Sequence, residues 1–343
     1  MTAVLVEQES GFGAELAGFV RERFGPGARI TEMDRRGEGW SWETYLVAVE
    51  TASGTVRLAV KREPADGILG SYDVGLEVAL LETAAAIGIP VPAVYGSRTG
   101  ARDFYVMERV PGSVPMPWDV RKRIPDLDRR RALGTEIASI MARLHTADIR
   151  AMRLPPLEIP TDAAATGAEE AARWRRVYEE NRTVRIPLID LALAWLEARA
   201  DHVSGRLALV HNDLRIGNVI VDGDGSVAAV LDWETARFTD PAADLAKFDI
   251  PTFRGRSPLA GQVIEMERYL AAYADLTGWR PEERALRYWT CMELTKGIIG
   301  SIKASKSFER GTTADVRYLN MAYQMHHALR WLLETLRDGE WGD

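Results

Sequence analysis

Cysteine occurs once in the 343 residues, as Cys291, which excludes an internal disulfide and a cysteine-rich metal site. No apolar run of about 18 residues is present, so no membrane-spanning helix is expected. Met1 to Gly13 carries Glu7 and Glu9 and lacks the basic start and long apolar run of a secretory signal. Positive charge is short as well. Lys and Arg number 43 against 50 Asp and Glu, a net charge of −7, the wrong sign for a nucleic-acid-binding face. G-x-x-x-x-G-K-[ST] is missing, which excludes a P-loop kinase. So is G-x-S-x-G, the usual hydrolase signature. Neither repeats nor a low-complexity tail is found. These absences leave a cytoplasmic enzyme as the expectation, without nucleic-acid or membrane partners and with monomer and homodimer both open.

At 46% hydrophobic and 27% charged, the composition is that of an ordinary globular chain. Its length suits one large domain or two lobes. The most informative stretch is Leu207 to Glu234, L-A-L-V-H-N-D-L-R-I-G-N-V-I-V-D-G-D-G-S-V-A-A-V-L-D-W-E. Leu207–Val210 reads as a buried strand, and His211–Asn218 as a polar loop. Val219–Val221 and Val227–Leu231 flank Asp222-Gly223-Asp224-Gly225, a strong hairpin signal. Closing that hairpin brings Asn218 and Asp232 to one end, with Asp213 on the loop that feeds it. Three hard oxygen side chains so placed suit Mg²⁺, which completes its shell with phosphate and water. A carboxylate beside such a metal can position a hydroxyl as a base. Asp222-x-Asp224-x-Ser226 also opens like a calcium loop. That pattern wants Gly sixth and Glu twelfth, where this chain has Val227 and Trp233, so a plain turn is expected.

H-x-D-x-x-x-x-N followed by D-W-E resembles the aminoglycoside phosphotransferase and choline kinase branch of the protein-kinase-like fold. The resemblance implies that Asp213 accepts the substrate hydroxyl proton, that Asn218 and Asp232 hold Mg²⁺ under the phosphates of ATP, and that His211 braces the loop. Asn212 stands where the family form has Gly. No A-P-E-like element follows Asp232, and Trp233-Glu234 replaces Phe-Gly, which argues against a protein substrate.

Upstream, apolar positions over 12–25 have helical spacing and end at Gly25-Pro26-Gly27. Gly37, Gly39 and Ser41 lie in a small loop between strand-like stretches, suited either to covering phosphates or to an ordinary hairpin. Thr55–Lys61 reads as a strand, Gly75–Ile87 as a helix closed by Gly88 and Pro90, and Val91–Tyr95 and Phe104–Met107 as two more strands. The resemblance implies that Lys61 contacts the phosphates and pairs with a helix glutamate. Glu77 and Glu82 compete for that pairing on different faces, and family alignment favours Glu77. It further implies that Glu108 and Val110 contact adenine through main-chain atoms. Pro111-Gly112 supports a lobe boundary near 110. The fold expected is therefore α+β and bilobal, with a small antiparallel-sheet lobe carrying a helix over 1–109, which binds nucleotide. A larger, mostly helical lobe over 110–343 would hold the catalytic and substrate residues.

Beyond 110, Leu133, Ile137, Ile140, Met141 and Leu144 mark a helix opened by Asp128, with His145 as a packing residue at its end. Glu169–Asp201 is helical, broken by Pro187. Asp240-Pro241 starts another helix as N-cap and N1; Asp244 reads as a brace of the loop or as an ordinary first-turn acid. Helical patterns follow over 258–276, 281–304 and 313–337. The expected activity is ATP-dependent phosphoryl transfer to a small-molecule hydroxyl; a nucleotide-binding pseudokinase is the alternative. Residues 251–343 carry 13 Lys and Arg against 12 Asp and Glu, or +1, not the acidic surface a polycationic aminoglycoside wants. Of Trp279, Tyr288, Trp289, Met292, Met321, Tyr323 and Met325, most are expected in the core, the usual fate of aromatics at helical spacing. Any that line a pocket would favour a macrolide-like, sugar-bearing or hydroxyacyl acceptor.

Overall fold

Five β-forming segments between Arg29 and Glu108 close into one antiparallel sheet. Its strands are β1 (Arg29–Arg36), β2 (Glu43–Thr51), β3 (Gly54–Arg62), β4 (Val94–Arg98) and β5 (Phe104–Glu108), in the order β1-β2-β3-β5-β4. The computed structural model describes residues 11–37, 41–65, 72–154, 157–313 and 315–337. Two units are resolved by their internal contacts, one of residues up to Ala85 plus Val91–Val110, the other of Ala86–Pro90 and Pro111 onward. In the first unit, helix α1 (Gly11–Phe24) packs Phe12, Leu16 and Phe19 into a core with Val47, Leu58, Val60 and Phe104. Helix α2 (Val74–Ala86) buries Glu77, Leu80, Leu81 and Ala84. β4 begins at Val94, later than the spacing suggests, because Pro92 has no N–H to give a ladder.

The second unit is mostly helical: α3 (Leu127–Thr146), α4 (Thr166–Asn181), α5 (Pro187–Ala198), α6 (Ala242–Phe248), α7 (Met266–Thr277), α8 (Glu283–Glu309) and α9 (Val316–Arg337). Two small antiparallel sheets sit among them. β6 (Ala208–Val210) pairs with β9 (Arg237–Thr239), and β7 (Val219–Val221) with β8 (Val227–Val230). Tyr288, Trp289 and Met292 are buried in the helical core, with Trp279 and Met325 packed against it; the side chain of Tyr323 lies outside the described residues. At the unit's entry Gly112 has φ +135°, and a Cβ there would stand 2.6 Å from the Val221 carbonyl oxygen. That space is closed by paired backbone hydrogen bonds between Ser113 and Val221, 2.9 and 2.8 Å.

Three helix starts differ from expectation. Asp126, not Asp128, caps α3, accepting from the Arg129 N–H. α6 starts at Ala242 with Pro241 at its N-cap, while the Asp240 carboxylate still receives the Ala242 N–H at 2.9 Å. The pattern over 258–276 yields a helix only from Met266. Gly261 and Gln262 carry φ of +54° and +68°, left-handed values that no α-helix tolerates.

Within α3, Gly134 lets the chain approach closely: a Cβ built there would lie 2.5 Å from the Cβ and Cγ2 of Ile264. Gly297, inside α8, has nothing within 4 Å of such a Cβ. Gly134→Ala should lower unfolding free energy by about 1–3 kcal/mol through overpacking. Gly297→Ala should raise it by up to about 1 kcal/mol through helix propensity. Chemical denaturation of the two variants checks both signs.

Candidate active site

Loop His211–Asn218 leaves β6 and is moulded around one buried carboxylate. The N–H groups of His211 and Asn212 donate to Asp244 Oδ2 at 2.8 Å and Oδ1 at 2.6 Å. His145 adds a third hydrogen bond, Nε2 to Oδ2 at 3.1 Å, and its Nδ1 meets Tyr273 Oη at 2.9 Å. His145 is thus a satisfied core residue, and Asp244 braces the loop. Burial alone would raise the Asp244 pKa, but the hydrogen bond and charge of His145, with His211 behind, outweigh it and hold the carboxyl below its usual range. Asn212 adopts φ +65°, the left-handed region in which Gly, and next to it Asn, is at ease. That explains how Asn substitutes where the family form has Gly.

His211 is fully buried. Its Nε2 lies 2.9 Å from the Leu231 carbonyl, which can only accept, so Nε2 carries the proton and Nδ1 accepts the Asp213 N–H at 3.3 Å. One imidazole therefore ties the loop to the strand end after β8. Across that hairpin Leu231 N–H donates to Asn218 O at 2.8 Å, so Asp232 follows directly, at φ +62°. The turn is an ordinary one, since Asp222 Oδ1 accepts the N–H groups of Asp224 and Ser226, both at 2.9 Å.

Asn218 Nδ2 donates to Asp213 Oδ2 at 2.8 Å and to Asp213 O at 2.9 Å. Its Oδ1 is buried with no hydrogen-bond partner, an orphaned acceptor of the kind a hard cation would satisfy. Among the described residues no three His, Cys, Asp or Glu side chains are grouped to hold a metal by themselves. A carboxamide, a carboxylate and phosphate oxygens suit Mg²⁺ better than a protein-only cage would, so the residues present fit that ion. The Asp213 carboxylate is held by Lys247 Nζ at 3.0 Å from Oδ1, with Arg215 Nε 3.6 Å from Oδ2. Burial pushes its pKa up, yet Lys247 first and Arg215 next bring it down to about 2.

In the first unit Lys61 and Tyr105 are direct cross-strand partners on β3 and β5, so their side chains share one sheet face. Tyr105 Oη donates to Glu77 Oε2 at 3.0 Å. Lys61 and Glu77 are both buried, whereas Glu82 is exposed, so Glu77 is the helix acid facing this strand pair. Trp42 packs beneath, edge-on to Tyr72 and Tyr105 at 5.0 and 5.9 Å. Gly37 has open space where a Cβ would stand and an ordinary φ, so nothing local requires glycine there. Ser41 borders β2, and Gly39 lies outside the described residues. Glu108 N–H is committed to the Ala93 carbonyl at 2.8 Å, so any main-chain contact to adenine from Glu108 would use its carbonyl. Val110, half-buried, closes the unit.

Lys247, Arg215, Glu293, Lys296 and Glu170 went unread in the sequence. Lys247 stands one turn after Asp244 on α6, and that helical spacing is its only signal.

A family model described as "Phosphotransferase enzyme family" matches residues 32–289, and the chain belongs to that family. Acyl-CoA dehydrogenase family member 10 of Mus musculus is 29% identical over 61% of this chain; the match spans 19% of that relative's length. A Ralstonia eutropha structure assigned to the aminoglycoside phosphotransferases superposes with TM-score 0.74 at 20% identity, covering 96% of this chain and 99% of that one. A thermostable mutant of the aminoglycoside phosphotransferase APH(4)-Ia, in ternary complex with ADP and hygromycin B, gives 0.61 at 17% identity over 95% and 99%. The fold is protein-kinase-like.

Asn212→Gly and Asn212→Ala separate backbone strain from side-chain loss, since both remove the same contacts. The alanine variant should be less stable than the glycine variant by about 1 kcal/mol, the cost of a left-handed Cβ, as read from denaturation midpoints.

Proposed function

We propose that this member of the phosphotransferase enzyme family moves the γ-phosphate of ATP to a hydroxyl of a small molecule. The observation that carries the reading is the Asp213–Asn218 pair. One amide orients the carboxylate through Nδ2 and leaves a buried, unpartnered Oδ1. In the transfer, the acceptor oxygen bonds to the γ-phosphorus and the bond to the bridging oxygen breaks. ADP departs with that electron pair, and the hydroxyl proton passes to Asp213. Held near 2, Asp213 is ionised at neutral pH and is a weak base. Its work is to accept the hydroxyl's hydrogen bond, orient the attacking oxygen and take the proton late. Asn218 and Asp232 would hold Mg²⁺, which when bound neutralises charge on the transferring group.

In the first unit, Lys61 would take the phosphates with Glu77 setting its position. Gly37, Gly39 and Ser41 would cover the phosphates, and the main chain of Glu108 and Val110 would meet adenine. These roles make residues 1–109 the nucleotide-binding part and 110–343 the catalytic and substrate part. Hygromycin B, in the ADP-bound relative, is one class of acceptor to test; macrolide, sugar-bearing and hydroxyacyl compounds are others.

Asp213→Ala should lower acceptor-dependent ADP release by about 10²- to 10⁴-fold and leave Mg·ATP binding within a few-fold of wild type. A wild-type protein that binds Mg·ATP, turns over no alcohol and matches Asp213→Ala in ADP release is instead a nucleotide-binding protein without catalysis.

A further inference from the structure

The carboxylates around Asp213 are already taken. Beyond Lys247 stands Glu293 on α8, buried and joined to Lys247 at 3.0 Å and to Lys296. Lys296 Nζ also donates to Asn212 Oδ1 at 3.1 Å and lies 3.8 Å from Glu170 on α4. Glu170 in turn meets Arg237 at 2.6 Å and Arg173 at 3.1 Å. These ion pairs bring Arg173, Arg215, Arg237, Lys247 and Lys296 together with Asp213, Glu170 and Glu293, and Asn212 links them to the buried Asp244. Asp213, Glu170 and Glu293 each have a cation within 3.0 Å.

Arg215 is the cation of this group whose closest ionic contact is longest. Its Nε is buried with no hydrogen-bond partner, and its nearest anion is Asp213 Oδ2 at 3.6 Å. The Phe253 ring steadies it: Arg215 Cζ lies 4.7 Å from the ring centroid and Lys247 Nζ 5.8 Å. A planar, unsaturated guanidinium beside the proposed base suits carboxylate or phosphate, and a polycation would meet like charge there.

Resting on the phosphotransferase reading, we propose that the acceptor is an anionic alcohol. Its hydroxyl reaches Asp213, and its carboxylate or phosphate group is received by Arg215 with Lys247 alongside. The same guanidinium could serve a phosphate of the nucleotide instead, and the variants below separate these sources.

The test supplies Mg·ATP with matched compounds: hydroxycarboxylates and glycerol 3-phosphate as anions, glycerol and glucose as neutral alcohols, choline and hygromycin B as cations. Each is read twice, as stimulation of ADP release and as inhibition of acceptor-free ATP hydrolysis. Anions alone should stimulate or compete. Arg215→Met should raise the acceptor KM, or the inhibition constant, at least tenfold while the ATP KM changes less than twofold. Arg215→Lys should recover part of that loss, and circular dichroism confirms that both variants fold. The proposal is overturned by a neutral or cationic compound that acts as well as the anions, by anions that neither stimulate nor compete, or by an Arg215→Met defect confined to the ATP KM. Failure of the underlying reading looks different: no compound is phosphorylated and Asp213→Ala leaves ATP hydrolysis unchanged.

Discussion

Asp244 is the constraint on which the loop depends. A carboxylate removed from water is tolerated only if its lone pairs are filled, and here two consecutive backbone N–H groups and His145 fill them. Consecutive amides can aim at one anion only if the chain curls about it, and the curl passes through the left-handed residue Asn212. With the backbone fixed there, the His211 ring reaches the Leu231 carbonyl on the far arm of the hairpin. Loop and hairpin are thus mounted on one buried charge. The placing of Asp213, Asn218 and Asp232 inherits its rigidity.

Two residues in this assembly hold backbone conformations that a Cβ resists, and they are compensated differently. Asn212 recovers its cost locally: Nδ2 donates to the Thr235 carbonyl and Oδ1 accepts from Lys296. Glycine would relieve the strain and lose both links, including the one that joins the loop to α8. Asp232 needs its carboxylate for the proposed metal role, so glycine is no substitute. Strain kept at a residue with chemistry to do is a common arrangement of functional sites.

The hairpin was legible because its signals are local: β-branched arms, a Gly-rich turn and fixed offsets to Asn218 and Asp232. The helix acid was only half legible. Helical spacing put Glu77 and Glu82 on different faces, and what selects Glu77 is burial beside Tyr105, a strand residue 28 positions away in sequence. Failure over 258–265 has a backbone origin, since nothing in the apolar spacing announces left-handed Gln262. The charged cluster was opaque for another reason. Glu170, Arg215, Lys247, Glu293 and Lys296 each look like ordinary solvated charges, and only folding brings four distant segments into contact.

Summed charge and local charge give different answers about the acceptor. Residues 251–343 are close to neutral, which selects nothing, while beside Asp213 the acids are taken up by Lys247 and Lys296 and Arg215 keeps one long ionic contact. Its cations also divide by task. Lys247 is shared by Asp213 and Glu293; without it two carboxylates would face each other in a low-dielectric setting, so its charge is required by the fold. Arg215 carries one ionic contact, at 3.6 Å, and no buried acid depends on it alone. A cation that the loop can do without, resting on an aromatic ring beside the proposed base, is placed for something the loop does not supply.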